Sequence, residues 1–422
     1  MADNETVAEP VEDPRARLAA WLADPASIDA QRAAAAAVEA FPGDPLAAAA
    51  SLRRAHPALG SSRAAAALEQ VELRRLAPHR YGLDASRLLL TRDGLEQATR
   101  PEVAEHRSHV LRDAGAHRIV DLTGGLGFDA GAFAAAGLEV TAVERDPVTA
   151  VFLAHNCPGV RVVVADAMEP DVLLDVLSAL SRTDVVFVDP ARRDPHASRG
   201  SNLRARPERD PARWSPPWPS IESLAHPRIA AKVTPSFHAP LNWHAEWTSI
   251  HRIVVECAVY SWPVFTAKRR ATIWADGRPI VVDADDTASA TRPFRVGAWL
   301  HEPDPAIIRA SALSGLLREH PALGIVDPSS TWLTSDAELV SETVRSFAVV
   351  EQLEGSATSQ RRQLDRIGVT SLAVKCRDVD TDPRSVLRDL DRREGPAHVI
   401  VMTRVAGRTV RYLCEPARQR SV

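Results

Sequence analysis

The chain has 422 residues, 45% of them hydrophobic and 25% charged, which is the composition of a globular protein with two or three domains. A formal net charge of −4 excludes a generally basic surface for nucleic acid, although a local basic patch is still compatible with it. No apolar run reaches the roughly 20 residues that cross a bilayer, and the acidic first residues lack the apolar core of a secretory signal. We therefore expect a cytoplasmic protein with no membrane partner.

The four cysteines lie far apart and the 14 histidines form no ligand motif, so the sequence predicts no metal site. The basic residues are almost all arginine, and only three are lysine. A bias of the coding sequence explains this imbalance more simply than binding of nucleic acid does.

Residues 1–109 are predicted to form an α-helical N-terminal domain. The run that starts near Ser27 consists mostly of good helix formers and stops at the Pro-Gly pair at 42–43. Further helices are predicted at 64–76 and 91–100. No chemistry can be assigned to this region from its residues.

Short apolar strands alternate with helices from residue 116 onward. Strands are predicted at 117–122, 138–144, 160–164, 184–188, 229–233 and 252–259, and helices at 130–136, 147–156 and 170–181. This alternation is typical of β-α-β units. It predicts an α/β fold in which residues 110–265 form a Rossmann-like domain with a parallel-dominated sheet.

Residues 266–422 are predicted to form a small α+β domain. A hairpin is expected near 268–279, where Gly277 follows an alternating run. Helices are predicted at 305–318, 336–347, 360–366 and 383–391, and strands at 371–375 and 398–404.

The segment Asp-Leu-Thr-Gly-Gly-Leu-Gly-Phe-Asp at 121–129 follows the first strand of the sheet and precedes a helix. Glycines allow a tight turn and a close approach of a ligand, and Glu144 at the end of the next strand can accept the hydroxyls of a ribose. The spacing Gly125-x-Gly127-x-x-Ala130 also satisfies the dinucleotide pattern of nicotinamide enzymes. A tight turn without a ligand is a third alternative.

The same segment resembles motif I of class I S-adenosylmethionine-dependent methyltransferases, with Thr123 in place of the first glycine. The resemblance implies that Glu144 holds the ribose and that Asp166 lies by the adenine amino group. The candidate cofactor-binding residues are Asp121, Thr123, Gly124, Gly125, Gly127, Asp129, Glu144 and Asp166, and the implied cofactor is S-adenosylmethionine.

The strand at 184–188 runs directly into Asp189 and Pro190, so a carboxylate is expected at the rim of the same crevice. This resembles the (Asp/Asn/Ser)-Pro-Pro-aromatic motif of methyltransferases that act on exocyclic amines. The resemblance implies that Asp189, Pro190 and Arg192 are catalytic, with Arg192 in the place of the aromatic residue. A plain strand-ending Asp-Pro turn is the structural alternative.

The stretch 190–214 contains seven arginines against three acidic residues, close to Trp214 and Trp218. Arginine with aromatic rings suits a nucleic-acid strand, with bases stacked on the rings, although a solvated proline-rich loop is an equal alternative. The candidate substrate-binding residues are Arg193, Arg199, Asn202 and Lys232.

From about residue 85 to 420, the chain resembles bacterial class I methyltransferases with a C-terminal THUMP-like domain. The resemblance depends on the segments at 91–99, 120–129, 143–147 and 188–193. It implies RNA as the partner and methyl transfer to an exocyclic nitrogen of RNA. The alternatives are a nicotinamide-dependent oxidoreductase and a non-catalytic RNA-binding protein on a methyltransferase scaffold.

Overall fold

The structure is a computed structural model that describes residues 13–81, 85–192, 208–284 and 295–415. The chain divides into two compact units, Met1–Lys232 with Tyr260–Val264, and Val233–Val259 with Phe265–Val422. The helical residues before 110 and the first five strands thus belong to one unit. The division into domains at 109/110 and 265/266 stays a prediction.

The helices of the first unit alternate with its strands only after residue 116. The helices are α1 (Pro14–Ala23), α2 (Ile28–Ala40), α3 (Pro45–Ala55), α4 (Ser61–Tyr81), α5 (Arg92–Gln97), α6 (Pro101–Asp113), α7 (Phe128–Ala135), α8 (Pro147–Asn156), α9 (Pro170–Ser178) and α10 (Trp218–Glu222). The strands are β1 (Arg118–Asp121), β2 (Glu139–Glu144), β3 (Arg161–Val164), β4 (Val185–Val188) and β5 (Ile229–Val233).

The first helices form because their sequences combine alanine-rich runs with defined starts. Proline occupies the first turn of α1 and α3, where a missing N–H costs nothing. Ala34, Leu52 and Ala67 are almost fully buried where α2, α3 and α4 pack together. Small alanine side chains allow these helices to approach closely.

The sheet of the first unit has the strand order β3-β2-β1-β4-β5, and all neighbouring strands are parallel. All four residues of β4 are buried, as expected for a strand covered on both faces. The strand order reverses between β1 and β4, and ligands of such sheets bind outside the carboxyl ends of the strands at this point. The predicted α/β class with a parallel-dominated sheet is confirmed.

The second unit is dominated by antiparallel strands. Its strands are β6 (His244–Ile250), β7 (Ile253–Tyr260), β8 (Arg269–Ala275), β9 (Arg278–Asp283), β10 (Trp299–Pro303), β11 (Gly324–Ile325), β12 (Leu333–Ser335), β13 (Val344–Leu353), β14 (Ser371–Cys376), β15 (Arg393–Glu394), β16 (His398–Val405) and β17 (Arg408–Cys414). Its helices are α11 (Pro305–Arg309), α12 (Leu313–Glu319), α13 (Ala357–Ile367) and α14 (Pro383–Asp389).

Eight of these strands form one sheet in the order β11-β12-β10-β13-β17-β16-β14-β15. Within it, β14 runs parallel to β15 and β16, whereas the other neighbours are antiparallel. The predicted hairpin is confirmed: β8 and β9 are joined at Asp276 and Gly277, both of which have positive φ.

For the second unit, one predicted helix is wrong and one strand is missing from the prediction. The helix predicted at 336–347 is absent, because Val344 begins the long strand β13, which pairs with β10 on one side and β17 on the other. Strand β6 was not predicted at all. All seven of its residues are buried, including His244, Glu246, Thr248 and Ser249, so the alternation of polar and apolar residues that marks a half-exposed strand is missing.

The buried carboxylate of Glu302 contacts three basic side chains in the second unit. Its oxygens lie 2.9 Å from Lys375 Nζ, 3.0 Å from the guanidinium of Arg377 and 3.7 Å from that of Arg252. Burial alone would raise the pKa of Glu302, but these cations, Lys375 first, hold it below its ordinary value. A pKa depressed by folding stabilises the fold at neutral pH, and this stabilisation is lost as the pH falls through the folded-state pKa.

We expect Glu302→Gln to lower the free energy of unfolding by about 2 kcal/mol at pH 7, because three partly buried cations lose their counter-charge. Urea unfolding measures this change. Glu351→Gln is the control, since its partner Arg366 is 67% exposed and the loss should stay below about 1 kcal/mol. Equal losses in the two variants would contradict this role of Glu302.

Candidate functional site

The glycine-rich turn between β1 and α7 is fixed by hydrogen bonds at both of its sides. The buried carboxylate of Asp121 accepts hydrogen bonds from the backbone N–H of Thr123 at 2.9 Å and from its hydroxyl at 3.2 Å. The Gly124 N–H donates to the carbonyl oxygen of Val143 in β2 at 2.9 Å. The turn is therefore held at the carboxyl ends of both β1 and β2.

The three glycines of the turn are required for two reasons, one shared by Gly124 and Gly127 and the other specific to Gly125. A Cβ at Gly124 would lie 2.5 Å from Leu153 Cδ1, and a Cβ at Gly127 would lie 2.6 Å from Cys157 Sγ, so both residues allow α8 to pack against the turn. Gly125 has a φ of +54° and its Cβ would meet only the carbonyl oxygen of Thr123, at 3.7 Å. The backbone at Gly125 thus faces open space, where a ligand can lie directly against it.

The carboxylate of Glu144 links the end of β2 to this turn. One oxygen accepts the Gly125 N–H at 2.9 Å, and the other accepts the Asp146 N–H at 2.8 Å. Burial raises the pKa of Glu144, while these two N–H donors oppose that shift. Each carboxylate oxygen has a second lone pair, so Glu144 can still accept two hydroxyl groups.

Asp189 lies directly after β4, beside the turn. Its backbone N–H donates to the Thr123 hydroxyl at 2.6 Å, and its carboxylate forms an ion pair with Lys232 Nζ. The side chain of Asp189 is 30% exposed, so one side of the carboxylate is open. After Pro190, Ala191 pairs with Ser215 in an isolated antiparallel bridge.

A cluster of charged and polar groups lies behind Asp189. Lys232 Nζ donates to the Thr99 hydroxyl at 2.8 Å and lies 3.8 Å from Asp129. The Asp129 carboxylate accepts hydrogen bonds from the Thr99 hydroxyl at 2.5 Å and from the guanidinium of Arg107. We call Thr99, Arg107, Asp129, Asp189 and Lys232 the buried ionic cluster.

Burial and neighbouring carboxylates also raise the pKa of Asp121. Burial, followed by the charges of Asp129 and Asp189, raises the pKa of Asp121 to about 7, although hydrogen bonds from Thr123 oppose this. Asp121, Asp129 and Asp189 therefore lie close together, and the two cations of the buried ionic cluster offset part of their negative charge.

Most of the predicted site residues meet at this edge. Asp121, Thr123, Gly124, Gly125, Gly127, Asp129, Glu144, Asp189, Pro190 and Lys232 lie at or next to the carboxyl ends of β1, β2, β4 and β5. Asp166 follows β3, is exposed, and caps a local turn by accepting the Met168 N–H at 2.9 Å. The Arg192 carbonyl accepts the Glu208 N–H at 2.7 Å. The candidates Arg193, Arg199 and Asn202 lie outside the described residues. The roles of all these residues stay predictions.

Two members of the buried ionic cluster were not predicted from the sequence. Thr99 and Arg107 come from the helical region before β1: Thr99 lies in the loop between α5 and α6, and Arg107 lies within α6. A signal existed, since residues 91–99 carry part of the family resemblance, but a single threonine or arginine on a helix has no pattern that marks it as buried.

The expected stacking of bases on Trp214 and Trp218 is wrong. The two rings pack edge to face with centroids 6.5 Å apart, and they are only 2% and 6% exposed. The Trp214 indole N–H donates to the Glu208 carbonyl at 3.2 Å. These tryptophans anchor residues 208–222 on the unit and present no surface for a base.

No helix among the described residues is long and apolar enough to cross a membrane. Over the same parts of the chain, no three His, Cys, Asp or Glu side chains are grouped so that they could hold a metal ion. All four cysteines are free thiols.

Comparison with known proteins places this geometry among methyltransferases. Residues 344–416, which span β13 to β17, match the family described as THUMP domain-like. A Mycobacterium tuberculosis protein described as an uncharacterized S-adenosylmethionine-dependent methyltransferase is 28% identical over 373 residues, which cover 83% of this chain and 97% of that protein.

Two further matches agree with this. The ribosomal RNA small subunit methyltransferase J of Alkalilimnicola ehrlichii is 33% identical over 193 residues, which cover 40% of this chain and 69% of that protein. A solved structure of a candidate methyltransferase from Porphyromonas gingivalis W83 superposes with a TM-score of 0.65 at 20% identity, over 96% of this chain and 98% of that chain, and shows a shared fold. The relatives favour S-adenosylmethionine over the nicotinamide cofactor that the glycine spacing also allowed.

Proposed function

Because the chain belongs to the class I S-adenosylmethionine-dependent methyltransferases and has a THUMP-like domain at its C-terminus, we propose that it methylates an exocyclic nitrogen of RNA. The observation that carries this proposal is the position of Asp189. Its partly exposed carboxylate lies at the carboxyl end of β4 and is joined through Thr123 to the glycine-rich turn.

The edge of the sheet suits the nucleoside part of the cofactor. The backbone at Gly125 is open, and the Glu144 carboxylate keeps lone pairs that suit the two hydroxyls of a ribose. S-adenosylmethionine supplies an activated methyl group when bound. We propose that Asp121, Thr123, Gly124, Gly125, Gly127, Asp129, Glu144 and Asp166 form the cofactor site, with Asp121 acting by holding the turn and Asp129 by binding the start of α7 to Thr99 and Arg107.

The Asp189 carboxylate is proposed to accept a hydrogen bond from the target amine. This contact directs the nitrogen lone pair at the methyl group, and such positioning supplies most of the catalysis when the leaving group is already activated. The nitrogen would gain the methyl group as the bond from that methyl group to the cofactor sulfur breaks and leaves a neutral thioether, and it would lose one proton, which the carboxylate or water accepts. Pro190 fixes the backbone after Asp189, and Arg192 is proposed to contact the substrate beside it.

RNA is proposed as the substrate on three grounds. The family matched by residues 344–416 is THUMP-like, and one relative is named as a methyltransferase of ribosomal RNA. The stretch 190–214 is rich in arginine, a residue that binds phosphates. We propose that Arg193, Arg199 and Asn202 contribute to this binding.

We expect Glu144→Ala to weaken binding of S-adenosylmethionine by about 1–3 kcal/mol, because the ribose loses its acceptor and the turn loses the acceptor of the Gly125 N–H. Isothermal titration measures the change. Glu139→Ala, at the exposed start of β2, is the matched control and should bind as the native protein does. Equal affinity in both variants would contradict the ribose role.

The proposed activity is tested by incubating the protein with methyl-labelled S-adenosylmethionine and RNA from cells that lack it. The expected result is label in one N-methylated nucleoside of the digested RNA. If the protein binds RNA and cofactor but labels none of the RNA pools, the non-catalytic alternative is correct. If label appears only in protein or small molecules, RNA is the wrong substrate.

A further inference from the structure

We propose that Lys232 is a positioning residue for methyl transfer, which keeps the Asp189 carboxylate ionised and in one orientation. We further infer that the helical region before β1 takes part in catalysis, since Thr99 and Arg107 hold this pair in place. The inference rests on the proposed function, in which Asp189 accepts the target amine.

The contacts of Lys232 show why it acts through Asp189 and not on a substrate phosphate. Its side chain is 11% exposed, and its ammonium contacts Asp189, the Thr99 hydroxyl at 2.8 Å and Asp129 at 3.8 Å. An ammonium group has three N–H donors, and these contacts orient them toward protein atoms instead of solvent. The Asp189 carboxylate, in contrast, is 30% exposed and so presents the open side of the pair.

The helical region supplies the other half of the cluster. The Arg107 guanidinium is 2% exposed, pairs with Asp129, and lies 5.3 Å above the ring of Phe187 in β4. The Thr99 hydroxyl accepts a hydrogen bond from Lys232 and donates one to Asp129, so it links these two side chains. Through this chain of contacts, α6 positions the ammonium that holds the carboxylate at the end of β4.

The charges that face Asp189 come from four elements. Lys232 of β5 and Arg107 of α6 favour its ionised form, whereas Asp129 of α7 and Asp121 of β1 oppose it. Burial raises the pKa of Asp189, and Lys232 is the strongest influence that lowers it. Without the ammonium, the carboxyl would therefore hold its proton to a higher pH, and the neutral acid is a weaker hydrogen-bond acceptor for the amine than the carboxylate.

The test compares three substitutions of Lys232 by their pH–rate profiles for methyl transfer to RNA. Lys232→Met removes charge and donor, Lys232→Gln keeps a donor without the charge, and Lys232→Arg keeps the charge. We expect Lys232→Met to slow transfer about 100-fold at neutral pH. The acidic limb of the pH–rate profile of this variant should shift to higher pH by about one to three units.

The remaining variants separate charge from hydrogen bonding. Lys232→Gln should shift the acidic limb of the pH–rate profile as Lys232→Met does. If the methionine variant does not fold, the glutamine variant replaces it in the test. Lys232→Arg should recover most of the rate and the original limb. Lys268→Met is the matched control, because Lys268 is exposed and lies outside the cluster. An unchanged limb in both the Met and the Gln variant would overturn the inference.

A second measurement does not need any methyl acceptor. Protein labelled with carboxyl-¹³C aspartate reports the titration of Asp189 as the signal that disappears in Asp189→Asn. The titration of this signal should move to higher pH in Lys232→Gln and stay in place in Lys268→Met. If the native protein methylates no RNA but this displacement is seen, the proposed function fails and the ion pair is established. If the signal titrates identically in all variants, the assignment of Lys232 fails by itself.

Discussion

Replacing Asp189 with alanine is expected to slow methyl transfer by about 100-fold or more, with little effect on the affinity for S-adenosylmethionine. The side chain is the proposed acceptor for the target amine, whereas the link of Asp189 to the glycine-rich turn is made by its backbone N–H, which alanine retains. Single-turnover rates with labelled cofactor measure the loss, and titration with S-adenosylmethionine measures the affinity.

Two further variants make this result specific. Asp189→Asn keeps an oxygen that accepts a hydrogen bond but loses the charge, so its rate should lie between those of the native protein and the alanine variant. Asp171→Ala, in the exposed first turn of α9, should behave as the native protein does. An alanine variant with native turnover would show that Asp189 does not position the substrate.

Arg107→Met is expected to lower the free energy of unfolding by about 3–5 kcal/mol, because the buried Asp129 carboxylate loses the nearer of its two ion-pair partners and keeps only Lys232 at 3.8 Å. The change is measured by urea unfolding followed through tryptophan fluorescence. The double variant Arg107→Met/Asp129→Asn should recover part of the loss, since no uncompensated charge is then left between these two positions.

Arg112→Met provides the comparison within the same helix. Arg112 lies in the last turn of α6, is 46% exposed and pairs only with its neighbour Asp113 in the hydrogen bonds described. Its loss should change stability by less than about 0.5 kcal/mol. Similar stability of the Arg107 and Arg112 variants would mean that the buried ionic cluster contributes no net stability.

The grouping of Asp121, Glu144 and Asp189 at one edge of the sheet could be predicted because its signals are local in sequence. The turn at 121–129 has its glycines within a few residues of the strand that it follows, and Glu144 stands at the end of the next strand. The strand-to-Asp-Pro pattern at 184–190 likewise requires no knowledge of distant contacts. Because the strands are parallel, their carboxyl ends lie at the same edge of the sheet, and these positions are therefore expected there.

The contacts within the buried ionic cluster, and its members Thr99 and Arg107, could not be predicted because these contacts connect distant residues. Lys232 is 133 residues from Thr99, and Asp129 is 22 residues from Arg107. Nothing in the sequence around either cation indicates a buried partner.

Strand β6 was missed for a related reason, since its buried polar residues find partners elsewhere in the second unit: the Thr272 hydroxyl donates to Glu246 at 2.5 Å. The helix predicted at 336–347 does not form because strand pairing between β13 and β10 outweighs the helical pattern of the sequence.

The central claim is that the carboxylate after β4 directs methyl transfer to a nitrogen of RNA. Its most direct test is mass spectrometry of RNA nucleosides from cells with the native gene, without it, and with the Asp189→Ala variant at equal protein level. We predict one N-methylated nucleoside that is present with the native protein, absent without it and not restored by the variant. Identical nucleoside profiles in all three strains, or full restoration by Asp189→Ala, would contradict the account.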